Sequence, residues 1–236
     1  ILAHLSFCKN TTHYPVPLPQ TKPIMSLPIR IETITLGDEL LLGIRENAHL
    51  SYLGIQLAHH GIEPSANLVV RDQADEIKTF FSESWKRSDL VITTGGLGPT
   101  SDDLTRETIA EILDEELVFD PSIEHALRER FSNLGRAMSE LNLRQCYRPK
   151  GAEVLANPYG TAPGLLIQKE GKMLIMLPGP AREMHPMFEQ VVIPRLQAEG
   201  LLPEIDCYLQ IRTAGIGESA LAEKVGHLFE GKEGLV

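Results

Sequence analysis

Residues 93–105, TTGGLGPTSDDLT, combine flexible backbone, hydroxyl groups and two neighbouring carboxylates in one short stretch. Glycines permit positive φ and let a ligand approach main-chain N–H groups closely, which suits an anion such as phosphate. The residues expected to contact that anion are Thr94, Gly95, Gly96, Gly98, Pro99, Thr100 and Thr105. The stretch is not a Walker loop, because it lacks GK[ST], and it is not GxGxxG, because Ser101 replaces the last glycine.

Asp102 and Asp103 restrict what this stretch can bind, because carboxylates repel a phosphate unless they hold a divalent cation or bind ribose hydroxyls. They therefore indicate a site for a hard cation such as Mg²⁺ beside the anion. The alternative interpretation is structural. In that case Ser101 or Asp102 caps the following helix, and Asp103 interacts favourably with the helix dipole.

Polar groups of the same kind occur in three further loops, which are GDELLLG (37–43), NPYGTAPG (157–164) and LPGPAREM (177–184). Their candidate side chains are Asp38, Glu39, Asn157, Thr161, Arg182 and Glu183. Each loop also has a structural interpretation. These are, in order, a helix start with acidic residues, an ordinary hairpin turn, and a capped helix with proline near its start.

The elements that would position these loops alternate between strands and helices. Apolar patterns predict strands at residues 29–36, 65–70, 89–94 and in the first part of 171–196. Helical periodicity predicts helices at residues 47–60, 73–86 and 103–114, and a helical pattern across 120–148. This order predicts a three-layer α/β/α, doubly wound fold with a mostly parallel sheet, followed by the start of a small α+β domain. Such sheets bind ligands at the carboxyl ends of their strands, so we expect the glycine-rich loops to meet there.

The same periodicity predicts which side chains face the core. The predicted inward residues of the first two helices are Leu50, Leu53, Leu57, Ile77, Phe80, Phe81 and Trp85. We expect the histidines of the first helix, His49, His59 and His60, to face solvent. A run of polar and arginine residues in 120–148 is expected to form a solvated helix face.

Composition and charge exclude several classes of protein. The 236-residue chain has a net charge of −10, which argues against nucleic-acid or membrane binding. Its three cysteines form no metal-ligand pattern, which favours a cytoplasmic protein without disulfides or structural zinc. No apolar run reaches the ~18 residues of a membrane span. We expect residues 1–24 to be a disordered or artefactual extension, with translation starting naturally at Met25.

Taken in order, the four loop sequences and the later GIGESALAEK (215–224) resemble the competence/damage-inducible CinA family. The resemblance covers about residues 29–225. It implies a molybdopterin-binding-like domain at residues 25–197, an incomplete small middle domain at 198–236, and a homodimer. Many members carry a further domain that deamidates nicotinamide mononucleotide, and nothing in this sequence resembles that domain.

The resemblance also implies an activity, which is hydrolysis of ADP-ribose to AMP and ribose 5-phosphate with Mg²⁺ or Co²⁺ and with K⁺. It implies catalytic roles for Asp102, Asp103 and Glu183, and metal binding by Asp38, Glu39, Asp102 and Asp103. Further substrate contacts would come from Gly37, Asn47, Asn157, Gly160, Thr161, Gly164, Pro178 and Gly179. Two alternatives remain open: a molybdenum-cofactor transferase that adenylylates a pterin or inserts a metal, and a non-catalytic nucleotide-binding module.

Overall fold

Two β-sheets organise the computed structural model, which describes residues 29–202 and 213–229. The strands are β1 (Ile31–Leu36), β2 (Ala66–Val70), β3 (Leu90–Thr94), β4 (Leu117–Phe119), β5 (Tyr147–Pro149), β6 (Glu153–Leu155), β7 (Gly164–Lys169) and β8 (Lys172–Leu177). The main sheet has the order β2-β1-β3-β8-β7-β6. Its first four strands are parallel, and β7 runs antiparallel to both β8 and β6. β4 and β5 form a separate antiparallel pair.

The helices are α1 (Asp38–Leu41), α2 (Ala48–His59), α3 (Ala74–Arg87), α4 (Thr105–Ile112), α5 (Pro121–Asn133), α6 (Ala181–Met187), α7 (Ile193–Ala198) and α8 (Glu218–Phe229). A 3₁₀ segment covers Glu140–Cys146, and a π-helical segment, Phe188–Val192, joins α6 to α7. The four predicted strands and the three predicted helices are confirmed. None of the helices in the described ranges has the length and apolar character needed to cross a membrane.

The helices cover both faces of the main sheet. On one face, Leu53 and Leu57 of α2 pack with Phe188 and with Leu196 of α7. On the other face, the buried side chains of α3 and α4 include Ile77, Phe81 and Ile109. Apolar side chains from the strands contribute to both clusters, as expected for a sheet that is buried on its two sides. The three-layer α/β/α prediction is therefore confirmed.

The helical pattern predicted for residues 120–148 is interrupted. The helix α5 begins after the cap residue Asp120 and ends at Asn133, and Gly135 then adopts φ +65°. This left-handed residue ends the helix because glycine reaches positive φ without steric cost. The chain continues through the 3₁₀ segment into β5, so the α-helical pattern predicted across 120–148 is confirmed only as far as Asn133.

Two predicted core side chains are exposed instead. Phe80 is 37% exposed and Leu50 is 43% exposed, whereas Phe81 is buried. Phe80 and Phe81 are neighbours in α3 and therefore point about 100° apart, so only one of them can face the sheet.

Some predictions fall on residues that are not described. The extension at residues 1–24 lies outside the described ranges. The sequence CYLQIRT predicts a strand at 207–213, which also lies outside those ranges except for its last residue. The sequence GIGESALAEKVGHLF predicts a helix at 215–229, which is confirmed as α8. The division into domains at residue 197 stays a prediction.

Glu32 forms a charged cluster at the amino-terminal end of β1. Its carboxylate is fully buried and accepts hydrogen bonds from Arg87 Nε at 2.6 Å and Nη2 at 2.8 Å. Arg30 Nη2 donates to the same carboxylate at 3.0 Å. Burial would raise the pKa of Glu32, but the two guanidinium groups outweigh it and lower that pKa to about 2.

We predict that Glu32→Gln lowers the free energy of unfolding by about 2 kcal/mol at pH 7, because the buried side chain loses the charge-assisted hydrogen bonds that it accepts from Arg30 and Arg87. The depressed pKa of Glu32 makes its contribution complete above about pH 4.5 and removes it as the pH falls towards 2. Denaturant unfolding at several pH values measures the difference between the two proteins. The exposed Glu129→Gln serves as a control, and a difference that persists at pH 2 would contradict the prediction.

Candidate functional site

A cavity of about 580 Å³ lies at the carboxyl ends of β1, β3 and β8. All four predicted loops contribute to its walls. The predicted residues that line it are Gly37, Glu39, Asn47, Gly95, Gly96, Gly98, Pro99, Asp102, Asp103, Thr161, Pro178, Gly179 and Glu183. Other lining residues include Arg45, Glu46, His49, Asp72, Leu97 and Gln145. The parallel strands therefore bring these distant loops together, as the sequence pattern predicts.

The first glycines after β3 lie where no side chain fits. Gly95 has φ +103°, and a Cβ there would lie 2.7 Å from the carbonyl oxygen of Leu36. Gly96 has φ +67°, and its Cβ would lie 1.9 Å from Thr105 Oγ1. The loop therefore passes directly over the end of β1 and the start of α4, which requires glycine at both positions.

The N–H groups of this loop differ in their availability. Gly95 N donates to the carbonyl oxygen of Leu177 at 3.0 Å, so this group belongs to the sheet. Within residues 29–202 and 213–229, the N–H groups of Gly96, Leu97 and Gly98 have no protein acceptor. These three residues line the cavity. Consecutive unpaired N–H groups of this kind form a concave site that suits an anion.

The carboxylate of Asp103 accepts hydrogen bonds within the second half of the loop. Asp103 Oδ2 accepts from Thr100 N at 2.9 Å and from Thr100 Oγ1 at 2.5 Å. It also lies against Gly98, where a Cβ would be 2.3 Å away. Asp102 is more exposed, and hydrogen bonding to Thr100 together with the charge of Arg144 lowers its pKa. Asp102 is therefore ionised at neutral pH, and Asp103 Oδ2 stabilises the turn through its hydrogen bonds with Thr100.

Arg144 of the 3₁₀ segment holds the same loop from its outer side. The sequence pattern instead predicts a solvated helix face for this region. Arg144 Nη1 donates to the carbonyl oxygen of Thr100 and, at 3.4 Å, to that of Pro99. Its Nη2 donates to the carbonyl oxygen of Asp103 at 3.4 Å and to Glu107 Oε1 at 3.2 Å. One guanidinium therefore contacts several backbone carbonyls of the loop, which a lysine could not do with the same geometry.

Carboxylates collect at one side of the cavity. Asp72 follows β2, and its pKa rises to about 6 because it is partly buried and faces the negative charges of Asp38, Glu39 and Asp103. Asp38 itself does not line the cavity. In the described part of the chain, no three His, Cys, Asp or Glu side chains lie close enough together to hold a metal ion by themselves. The carboxylates are oxygen donors that suit a hard cation which keeps several water ligands.

Glu183, at the start of α6, forms another part of the wall. It is 6% exposed, and its Oε2 accepts from Asn157 Nδ2 at 2.9 Å. The same Nδ2 donates to the carbonyl oxygen of Ala162 at 2.8 Å. A Cβ on Gly160 would lie 1.6 Å from Glu183 Oε2, so the loop backbone rests directly on this carboxylate. The loop at 157–164 is thereby fixed to α6.

His49 faces the cavity and not the solvent, which corrects the prediction for this residue. Its Nδ1 lies 2.9 Å from Thr94 Oγ1, and Thr94 is almost fully buried. Burial lowers the pKa of His49, and the positive charge of His185 lowers it further. The imidazole is therefore neutral at pH 7, and it can donate a hydrogen bond to the Thr94 hydroxyl or accept one from it.

Three residues with predicted substrate contacts have structural roles. Thr105 is fully buried beneath Gly96, and Gly164 begins β7 and makes room for Met187; neither lines the cavity, so both assignments are corrected. Asn47 does line the cavity, but it also caps α2, because its Oδ1 accepts from Leu50 N at 3.2 Å.

Comparison with known proteins identifies the family. A family model described as "Probable molybdopterin binding domain" matches residues 32–198. A CinA-like protein of Kosmotoga olearia is 44% identical over 206 residues, which is 87% of this chain and 49% of that protein. A putative competence-damage inducible protein of Symbiobacterium thermophilum is 47% identical over 200 residues, covering 84% of this chain and 47% of that protein. The chain thus spans about half the length of these curated relatives.

A solved structure supports the same conclusion. The crystal structure of CinA from Thermoplasma acidophilum, described as a protein of unknown function, has a TM-score of 0.65 and 33% identity to this chain. The match covers 70% of this chain and 97% of that one. The chain therefore belongs to the molybdopterin-binding-domain family and, within it, to the CinA-like proteins.

Proposed function

We propose that this domain hydrolyses the diphosphate of ADP-ribose to AMP and ribose 5-phosphate in the presence of Mg²⁺ or Co²⁺, with K⁺ as a further ion. The proposal rests on the presence of two kinds of group, hydrogen-bond donors and carboxylates, in one cavity. Unpaired N–H groups of the glycine loop and a group of carboxylates line the same space. A diphosphate and a divalent cation together satisfy both.

The diphosphate would lie at the N–H groups of Gly96, Leu97 and Gly98. These donors are held in place by the contacts of Gly95 with β1 and of Arg144 with the following carbonyls. Prearranged donors stabilise the charge that develops during phosphoryl transfer without reorganising at that moment. Pro99, Pro178 and Gly179 complete this wall without adding negative charge.

The cation would lie near Glu39, Asp72 and Asp103 and would keep several water ligands, with Asp38 and Asp102 contributing negative charge nearby. When bound there, a divalent ion would supply Lewis acidity that polarises a phosphoryl oxygen and makes an attacking water more acidic. The raised pKa of Asp72 supports this assignment, since it reflects first the partial burial of that carboxyl and then repulsion from the nearby charges of Asp38 and Glu39.

Glu183, Asn157 and Thr161 would orient the sugar. Glu183 retains acceptor capacity after its bond with Asn157, and it lines the cavity beside Thr161. Thr161 Oγ1 accepts from Gln145 Nε2 at 3.3 Å, which directs the hydroxyl proton elsewhere. Carboxylate and hydroxyl groups in fixed positions are suited to ribose hydroxyls.

A second candidate function is molybdopterin binding, favoured by the description of the family model that matches residues 32–198. A pterin that carries a phosphate could use the same N–H groups. Calorimetry with molybdopterin and with ADP-ribose separates the two candidates, since the preferred ligand should bind more tightly in matched metal concentrations.

We predict that the protein releases AMP and ribose 5-phosphate in equal amounts from ADP-ribose when Mg²⁺ or Co²⁺ and K⁺ are present. Removal of the divalent ion with EDTA should abolish the release, because its Lewis-acid contribution is lost. Chromatographic product analysis measures both products. Tight nucleotide binding with no product at any metal concentration would contradict hydrolysis and support the binding-module alternative.

We predict that Asp103→Asn reduces turnover by about 100-fold, since it removes a negative charge from the cation site. The amide oxygen can still accept from Thr100, so the loop and the thermal midpoint should change little. Asp75→Asn is a matched control, because Asp75 is exposed on α3 and does not line the cavity. Unchanged steady-state turnover in Asp103→Asn would reject the assignment.

We predict that Asp72→Asn stabilises the metal-free protein by about 1 kcal/mol at pH 7, after allowing for its partial exposure. The folded-state pKa of Asp72 is raised to about 6, so ionisation above that pH opposes folding, and the variant removes this cost. The same variant should bind Mg²⁺ more weakly. Thermal unfolding with and without Mg²⁺ tests both effects, and lower stability without metal would contradict the prediction.

A further inference from the structure

One arginine lies among the carboxylates of the cavity at the glycine loop. Arg45 lines that cavity, and the acidic residues that line it with Arg45 are Glu39, Glu46, Asp72, Asp102, Asp103 and Glu183. Among the described residues of this lining, Arg45 alone carries a positive charge at pH 7, because His49 is neutral. None of the roles proposed for the cavity uses this charge.

The guanidinium of Arg45 is not occupied by the protein. Within residues 29–202 and 213–229 it forms no hydrogen bond and no ion pair, although carboxylates line the same cavity. By contrast, Arg144, Arg148 and Arg195 each form an ion pair with a carboxylate. A guanidinium carries five N–H donors and accepts no hydrogen bonds, so that of Arg45 is available for an anionic ligand.

The backbone on both sides of Arg45 is held in place. The carbonyl oxygen of Glu39 accepts hydrogen bonds from Ile44 N at 2.9 Å and from Arg45 N at 3.2 Å. Two residues after Arg45, Asn47 Nδ2 donates to Thr35 Oγ1 of β1 at 3.4 Å. The loop is thus attached to its own first turn and to the sheet, so the Arg45 side chain extends from a defined position in the cavity wall.

The order of the strands places this loop beside the glycine loop. β1 lies between β2 and β3 in the main sheet, so the loop that carries Arg45 lies between the loop that carries Asp72 and the glycine loop. A diphosphate at the N–H groups of Gly96, Leu97 and Gly98 would therefore have Arg45 in the adjacent wall. The planar guanidinium can donate two parallel hydrogen bonds to two oxygens of one phosphate.

We propose that Arg45 is a catalytic residue whose guanidinium binds the diphosphate and stabilises the phosphate that leaves. The inference rests on the proposed function and adds a residue to it. Hydrolysis forms a bond from the water oxygen to one phosphorus and breaks the bridging P–O bond. The electron pair of that bond stays on the leaving phosphate, and the protons of the water pass to solvent. The leaving phosphate gains negative charge among carboxylates, and Arg45 offsets that charge.

The test compares two variants and a control in the 236-residue chain. Arg45→Ala removes the guanidinium, and Arg45→Lys keeps the charge but loses the planar pair of donors. Arg136→Ala is the matched control, because Arg136 is exposed, carries the same charge and does not line the cavity. Steady-state hydrolysis of ADP-ribose gives kcat and KM, and calorimetry with Mg²⁺ measures the binding of inorganic pyrophosphate.

Arg45→Ala should lower kcat about 100-fold and weaken pyrophosphate binding about tenfold, since the charge-assisted hydrogen bonds are lost. Arg45→Lys should give intermediate values, and Arg136→Ala should match the unaltered protein. Equal values for Arg45→Ala and Arg136→Ala in both measurements would overturn the inference and leave the proposed function standing. Failure of the unaltered protein to hydrolyse ADP-ribose would overturn the proposed function and the catalytic role of Arg45 with it.

Added guanidinium separates a contact with the substrate from an effect on the loop. Millimolar guanidinium chloride should raise the kcat of Arg45→Ala several-fold, because the free ion can occupy the space of the missing side chain, and it should not raise that of the unaltered protein. The thermal midpoint of Arg45→Ala should stay unchanged, since the side chain has no partner in the described part of the chain. A lower thermal midpoint together with no rescue would assign Arg45 a structural role and overturn the inference.

Discussion

The register of three parallel strands determines where the candidate functional site of this domain lies. Thr35 of β1 pairs with Thr94 of β3, and Thr94 pairs with Leu177 of β8, so the three strands end side by side. The loops that follow them must then share one small volume. Gly95 makes this possible, because any larger residue would collide with the carbonyl oxygen of Leu36. Substitution at that position would separate the strands or displace the loop.

The cavity at the ends of these strands contains both the partial positive charges of backbone N–H groups and the negative charges of carboxylates. The chain is acidic overall, with a net charge of −10, so local groups such as backbone dipoles would have to supply the attraction for any bound anion. Unpaired N–H groups supply those dipoles, while carboxylates gather a few residues away. An anion alone would be repelled and a cation alone would leave the donors unsatisfied. The cavity therefore favours ligands that bring both charges together.

Much of this arrangement follows from local sequence. Apolar runs and glycine-rich loops identify the four parallel strands β1, β2, β3 and β8 and the edge at which their loops meet, because each signal depends on adjacent residues. Asp72 lies just beyond β2 at that same edge, so the rule that located the other loops could also have found it. Arg144 and His49 could not be found in this way. Their roles depend on contacts with residues about 45 positions away, which no local pattern encodes.

The raised pKa of Asp72 has a consequence for how the cavity exchanges ions with solvent. A carboxyl that titrates near pH 6 carries a proton part of the time in weakly acidic solution. A divalent cation that neutralises the surrounding carboxylates would lower the pKa of Asp72, so the carboxyl would lose that proton. Under the proposed function, cation uptake would be accompanied by proton release, and the heat of association would include the ionisation enthalpy of whichever buffer accepts the proton. The carboxylates of the cavity would then act as a weak acid whose degree of protonation depends on the bound cation.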